Sequence, residues 1–243
     1  MMGTIANDRG LDPALPIAPQ VFRILRNRII QNDLKPGNLI SESEIAKLHD
    51  VSRQPVREAF IKLQEQGLLA VRPQRGTIVN KIAYAAVLDA RFLREAIEAD
   101  IVSILVQIAD DSLIATLRAQ LDLQRAVTEQ NRAEFIQLDE RFHFTLAEAA
   151  GKGGAWKLVE GLKSQMDRVR FLSLAQFPVA KLIDQHAEIV DRIAAADRQG
   201  ANKAIRCHLR EVLSDLPPIV AAYPEFFDLP EGGLPLPVNA PIQ

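Results

Sequence analysis

Apolar residues recur along this chain with two different periods, and the change of period marks its organisation. Over 18–32, Val21, Leu25, Ile29 and Ile30 recur at helical spacing and predict an amphipathic helix. "LKPGNLI" reads as a turn followed by a short strand, punctuated by Pro36-Gly37. In "SESEIAKLHD", Ser41 and Glu44 have capping-box spacing, and Ile45 and Leu48 are expected to face inward. His49-Asp50-Val51 makes a turn, and Ser52 is placed to cap a helix over 53–66 with Pro55 in its first turn. Val56, Ala59, Phe60 and Leu63 form its inner stripe, and Gly67 ends it. "LLAVRPQRGTIVNKI" then switches to an alternating pattern around "PQRG", the signature of a hairpin. Helix, helix, turn, helix and hairpin in that order predict a winged helix-turn-helix head with a small β-hairpin wing.

From 84 to 221 every segment has helical period and no strand pattern competes. Helices are expected near 84–108, 111–129, 132–150, 154–175, 179–198 and 200–216, broken at Asp110-Asp111, Asn131, Gly151–Gly154, Pro178 and Gly200. Short links between them predict an antiparallel all-α bundle of six or seven helices, so the fold class is mainly α. Beyond Tyr223, five prolines exclude a long helix and predict a segment that is disordered or laid extended over the surface. The expected division is an arm over 1–17, the head over 18–80, a linker over 81–86, the bundle over 87–221 and a Pro-rich tail over 222–243.

Composition refines this picture. Hydrophobic residues are 48% and aromatics only 5%, which favours packed helices. The single cysteine, Cys207, rules out an internal disulfide and suits a reducing compartment. The first twenty residues lack an apolar run, and the most apolar window, 101–109, is too short to cross a bilayer. Those features predict a cytoplasmic protein with no membrane partner. Residues 1–80 hold 11 Lys/Arg against 8 Asp/Glu, whereas the remainder holds 18 against 23, so the net charge of −2 conceals a mildly basic head. A basic head is compatible with phosphate binding.

Candidate chemistry lies in both parts. A helix-turn-helix presents its second helix to the major groove, where Arg suits guanine and Gln suits adenine. Arg53, Gln54 and Arg57 lie off the inner stripe of helix 53–66, and Arg72 and Arg75 flank the wing turn, in reach of phosphate. In the bundle, "LDERFHFTLAEAA" sets Asp139 and His143 one turn apart beside Phe135, Phe142 and Leu146. Such a pair is either a hydrogen-bonded core pair or half of a metal site. His186 and His208 lie on or near inward stripes of two later helices, completing a donor set used by Zn, Ni, Mn and Fe. No nearby Lys or Arg is evident from the sequence to pair with Asp139. Cys207, next to His208, is expected to pack and not to ligate.

The stretches "LKPG", "SESEIA", "VSRQPVREA", "LQEQGLL" and "RGTIV" resemble the DNA-binding head of the GntR family of bacterial transcription regulators over about residues 20–80. The resemblance implies groove contacts from Arg53 and Arg57, with Gln54, Arg75 and Gly76 as further contacts. The bundle resembles the FCD effector domain of the FadR subgroup, many of whose members show Asp-x3-His and two later histidines. It implies the metal ligands Asp139, His143, His186 and His208. "ARFLREAIEAD" resembles the R-x-x-x-E start of that domain, which implies that Arg94 grips an effector carboxylate, with Glu98 as the acid and Arg170 as a second candidate. Together these imply a homodimeric regulator, a repressor, that binds a pseudo-palindromic double-stranded DNA operator and a small organic acid at a divalent transition metal, Zn or Ni ahead of Mn or Fe. No enzymatic activity is expected. The alternatives are a metal-dependent hydrolase with a DNA-binding head and a constitutive DNA-binding protein whose metal is purely structural.

Overall fold

Val21, Leu25, Ile29 and Ile30 are all buried, which makes α1 (Ile17–Ile30) an amphipathic helix whose apolar face packs on α3 (Arg53–Glu65). A computed structural model describes residues 10–128, 131–174, 176–177 and 179–232. Within them, residues up to Ala83 gather with Tyr223–Asp228 in one unit, and Tyr84–Ala222 in a second.

In the first unit α2 (Glu42–Leu48) and α3 form the helix-turn-helix, and Val56, Ala59, Phe60 and Leu63 fill its core as the stripe predicts. Leu48, expected to face inward, is exposed, because α2 is only two turns long and Ile45 and Ala46 already cover its buried side. Neither Ser41 nor Ser52 makes a side-chain cap hydrogen bond, so the capping box is a spacing without the bond. The C-terminus of α3 closes more firmly: Gly67, at φ 67°, lets its own N–H reach Gln64 and the Leu68 N–H reach Leu63. A three-stranded antiparallel sheet follows the order β1 (Leu39–Ile40), β3 (Gly76–Val79), β2 (Leu69–Arg72), with Leu69 opposite Val79 and Arg72 opposite Gly76.

Residues 1–9 of the expected arm lie outside the described residues, but 10–16 are not loose. The Gln20 amide bridges Asp12, Leu15 and Pro16, and Leu11 packs on the head core. The expected linker 81–86 is likewise structured. Ile82–Ala83 forms β4, which pairs in parallel with β5 (Phe227–Asp228), and α4 starts at once with Tyr84 buried. Phe227 is buried, so the start of the Pro-rich segment is anchored; residues 233–243 lie outside the described residues.

Seven helices form the second unit among the described residues: α4 (Tyr84–Ile108), α5 (Asp111–Arg125), α6 (Arg132–Ala149), α7 (Gly153–Leu162), α8 (Ser164–Ser173), α9 (Ala180–Ala194) and α10 (Arg198–Ala222). The segment expected to be one helix over 154–175 is two. They part at Lys163, whose buried ammonium donates to Asp167 and sits 2.9 Å from Glu140. Pro178 lies outside the described residues. Gly200 is not a break but lies in the first turn of α10, its N–H bonded to the Asp197 carboxylate at 2.9 Å. The chain turns just before, at Ala196, where φ is 54°. α10 also runs past the expected end at 216, through Pro217 and Pro218, because burial of Leu216, Ile219 and Val220 offsets the two lost N–H donors. No described helix is long and apolar enough to cross a membrane.

Glu95 pins α4 to α10. It is buried and accepts from Arg91 at 2.6 Å and from Arg206 and Arg210 at 2.9 Å. Burial pushes its carboxyl up, but the Arg210, Arg206 and Arg91 hydrogen bonds outweigh that and hold it down at about 2, against an ordinary 4.5. A depressed carboxyl contributes stability that is complete above the ordinary value and lost as pH falls towards the folded one. Glu95→Gln should therefore lower stability by about 3 kcal/mol at pH 7, the low end for breaking a buried pair since Arg206 and Arg210 stay partly solvated. Urea denaturation should show the gap to wild type closing as the pH falls from 4.5 towards 2.

Candidate metal centre and nucleic-acid interface

In the head, the buried stripe of α3 turns Arg53, Gln54 and Arg57 outward, and all three are exposed. Arg53 lies 3.5 Å from Glu42 of α2, and the Gln54 amide donates to Glu58, one turn on. Arg72, Arg75 and Gly76 are exposed at the wing turn, where the Arg75 N–H closes onto the Arg72 carbonyl. Gln74 and Gly76 both take positive φ there, 62° and 85°. The second helix and the wing thus carry their guanidinium groups in water, the state from which phosphate and base edges are contacted.

In the bundle, α6 supplies Asp139 and His143, α9 supplies His186 and α10 supplies His208, all buried. One donor atom from each lies within 4.8 Å of the others, so these four could hold a metal ion. The Nε2 atoms of His143 and His186 are 3.2 and 3.1 Å from that of His208. Asp139 Oδ1 is 3.4 Å from His186 Nε2 and 3.9 Å from His143 Nε2.

The other nitrogen of each ring decides the chemistry. His143 Nδ1 is 2.6 Å from Glu98 Oε2, His186 Nδ1 is 2.8 Å from Gln124 Oε1, and His208 Nδ1 is 3.1 Å from Gln185 Oε1. Amide oxygens only accept at Oε1, which assigns the proton to Nδ1 of His186 and His208 and leaves each an Nε2 lone pair, while His143 Nδ1 meets the Glu98 carboxylate in distance but not in hydrogen-bond geometry. Burial brings His186 down to about 3 and His208 well below its ordinary value, so these rings are neutral at pH 7. The lone pairs of His186 and His208, the Nε2 atom of His143 and a carboxylate oxygen therefore face one another in a buried core. The lone pairs and the carboxylate repel unless a cation lies between them, and three imidazoles with one carboxylate are a donor set suited to a divalent transition metal.

Asp139 has the cationic partner that the sequence did not reveal. Arg170 of α8 grips it with both terminal nitrogens, one at 2.6 Å. Burial pushes Asp139 up, but the Arg170 charge overcomes this and holds it well below the ordinary range. Arg94, a candidate in the sequence, is buried and not a surface residue; its Nε donates to Glu98 at 2.6 Å. Burial raises Glu98, and Arg94 and His143 bring it back to about 2. Arg94 Nη2 is buried with no hydrogen-bond partner among the described residues. Arg94 also lines a small cavity together with Arg170, Ser173, His208, Glu211 and Asp215. Gln124 and Gln185 were not found from the sequence, since neither has a spacing that marks it; only adjacency to His186 singles out Gln185. Cys207, expected to pack, is exposed, as about 100° of rotation per residue turns it away from His208.

Comparison with known proteins follows the same division. Residues 17–79 match the model of bacterial regulatory proteins of the gntR family, and residues 89–211 match that of the FCD domain. The chain is 39% identical over 204 residues to the HTH-type transcriptional repressor RspR of Escherichia coli K12, covering 83% of this chain and 90% of that one. It is 37% identical over 208 residues to an HTH-type regulator in an unstable DNA locus of Streptomyces ambofaciens, covering 85% and 88%. Among solved structures, one from Rhodococcus sp. RHA1 described as a transcriptional regulator GntR superposes with TM-score 0.68 at 26% identity, covering 85% of this chain and 98% of that one. The E. coli McbR/YncC structure, at 17% identity, TM-score 0.69 and 86% and 99% coverage, shares the fold. A gntR-type head, an FCD domain behind it and relatives named as regulators lead to one conclusion: this chain belongs to the GntR family of transcriptional regulators.

Proposed function

We propose that this regulator is a repressor of the FadR subgroup, binding a pseudo-palindromic operator as a homodimer and answering to a small carboxylate held at a divalent metal in its FCD domain. One observation carries the reading. Amide acceptors hold the protons of His186 and His208 at Nδ1, and the Nε2 atoms of all three buried imidazoles converge beside Asp139. Asp139, His143, His186 and His208 are the proposed ligands, with Zn or Ni favoured over Mn or Fe. When bound, the ion supplies a Lewis-acid position for an effector carboxylate.

Arg94 is the proposed second anchor, because its Nη2 is buried and unpartnered among the described residues and the residue lines the cavity. Arg170 is already committed to Asp139 and ranks behind it. No enzymatic activity is proposed. Glu98 is engaged by Arg94 and His143, and Asp139 by Arg170, so neither is free to act as a general base. A purely structural metal would leave the cavity beside it without a use. In the head, Arg53, Gln54 and Arg57 are assigned to base edges, and Arg75 and Gly76 to the wing's backbone contact. Two heads are needed for two half-sites, which supports a homodimer. The name of the E. coli relative supports repression. The effector acts by favouring one arrangement of the bundle and so changing operator affinity.

For the head, Arg57→Ala should keep the fold and lose about 1–3 kcal/mol of discrimination for the operator over unrelated DNA. Competition footprinting checks this, and unchanged protection at wild-type concentrations rejects the recognition-helix assignment.

For the metal, elemental analysis should find close to one divalent ion per chain, lost in His186→Ala with a lower melting temperature. Gln124→Leu removes no ligand yet frees the His186 ring, and should weaken metal affinity by about 10–100-fold in a chelator competition. Metal-free protein that takes up neither Zn nor Ni would end this reading.

For the effector, Arg94→Ala should leave operator affinity unchanged without ligand. It should require about tenfold or more acid for release, the scale of one charge-assisted hydrogen bond. Gel-shift titration across acid concentrations, with the ligand recovered and analysed, is the check; chemically altered ligand would favour the hydrolase.

A further inference from the structure

Across the turn between α2 and α3, a carboxylate from the first turn of one helix meets a guanidinium from the first turn of the other. The turn itself is firmly set. The His49 N–H closes on the Ile45 carbonyl, Asp50 takes φ 52°, and the Val51 N–H bonds Ala46 at 3.0 Å, with Val51 packed on the head core. Glu42 Oε2 then lies 3.5 Å from Arg53 Nη2. Of the Glu42 side chain 29% is exposed, against 69% for Arg53. The carboxylate is therefore the anchored member of the pair and the guanidinium the accessible one.

A carboxylate on a surface that meets DNA costs affinity, because it repels the phosphates it approaches. It gains selectivity where it orders a flexible reader, since a side chain ordered before binding loses less entropy on binding. Arg53 carries five N–H donors, so a pairing at Nη2 leaves enough of them for the O6 and N7 acceptors of guanine. Glu44 carries the same charge in the same turn of α2 and is exposed. Two residues on, it points about 200° away round the helix.

We propose that Glu42 is a positioning residue for sequence readout, its carboxylate holding the Arg53 guanidinium in the orientation that reads guanine. This rests on the assignment of Arg53 to base edges above.

The test is selection of bound duplexes from a randomised DNA pool by the full-length protein, with sequencing. Affinities are then measured for the selected duplex and for unselected pool DNA. Wild type should enrich one sequence, and the position whose guanine preference disappears in Arg53→Ala marks the Arg53 contact. Glu42→Gln should flatten the preference at that position by about two- to fivefold, the scale of one exposed ion pair. It should bind unselected DNA as well as wild type or better. In an Arg53→Ala background it should change nothing at that position. Glu44→Gln removes the same charge without touching Arg53 and should keep the preference. Undiminished guanine preference in Glu42→Gln, or equal losses in Glu42→Gln and Glu44→Gln, would overturn the proposal while leaving Arg53 at its base. Equal weakening on selected and unselected DNA would mark a merely structural role and overturn it too. If wild type enriches no sequence, or Arg53→Ala alters none of its positions, the base-edge reading falls and the proposal with it. Should Glu42→Gln not fold, Glu42→Asp, which keeps the charge but shortens its reach, takes its place with the same expected loss.

Discussion

Charge taken out of water has to be matched, and the interior of the bundle is arranged around that constraint. Arg94 faces Glu98, Glu98 faces His143, and Arg170 faces Asp139, all between helices that bury them. Each pairing fixes a side chain that would otherwise be free to rotate. Like meets like at the centre, where the Nε2 atoms of three imidazoles converge. A cluster held from outside by Glu98, Gln124 and Gln185 is preorganised for a cation, because the ring orientations are set before any ion arrives.

That preorganisation ties the centre to most of the second unit. Its groups come from α4, α5, α6, α8, α9 and α10, so helix packing and donor geometry cannot vary independently. Glu95 strengthens the α4 and α10 contact close by in sequence to Arg94 and Glu98, and Ser173 with Asp215 links α8 to α10. The head follows a simpler logic. Its buried side chains are apolar but for Gln20, and Arg53, Arg57, Arg72 and Arg75 stand in water on α3 and the wing, ready to exchange solvent for a polyanion.

The helical stripes of α1 and α3, the hairpin alternation and the wing turn could all be read from residue order, since each depends on neighbours a few positions away. The head's family pattern was legible for the same reason. Asp139 and His143, one turn apart on a single helix, announced a shared face. His186 and His208 could only be suspected, because nothing local says that three helices will aim their rings at one point. Lys163 splitting α7 from α8, and α10 passing through Pro217 and Pro218, ran against local propensity and were decided by what those segments bury.

Sequence alone determined the order of elements, the apolar faces and the stock of donor residues, for these follow from periodicity and side-chain chemistry. Tertiary structure decided the partners. It gave Arg170 to Asp139, Gln124 to His186 and Gln185 to His208, pairs separated by 23 to 62 residues along the chain. Sequence spacing carries no information about such pairs. The tautomers of His186 and His208, and with them the capacity to bind a metal, come from these long-range contacts, because an imidazole's proton goes to whichever nitrogen finds an acceptor.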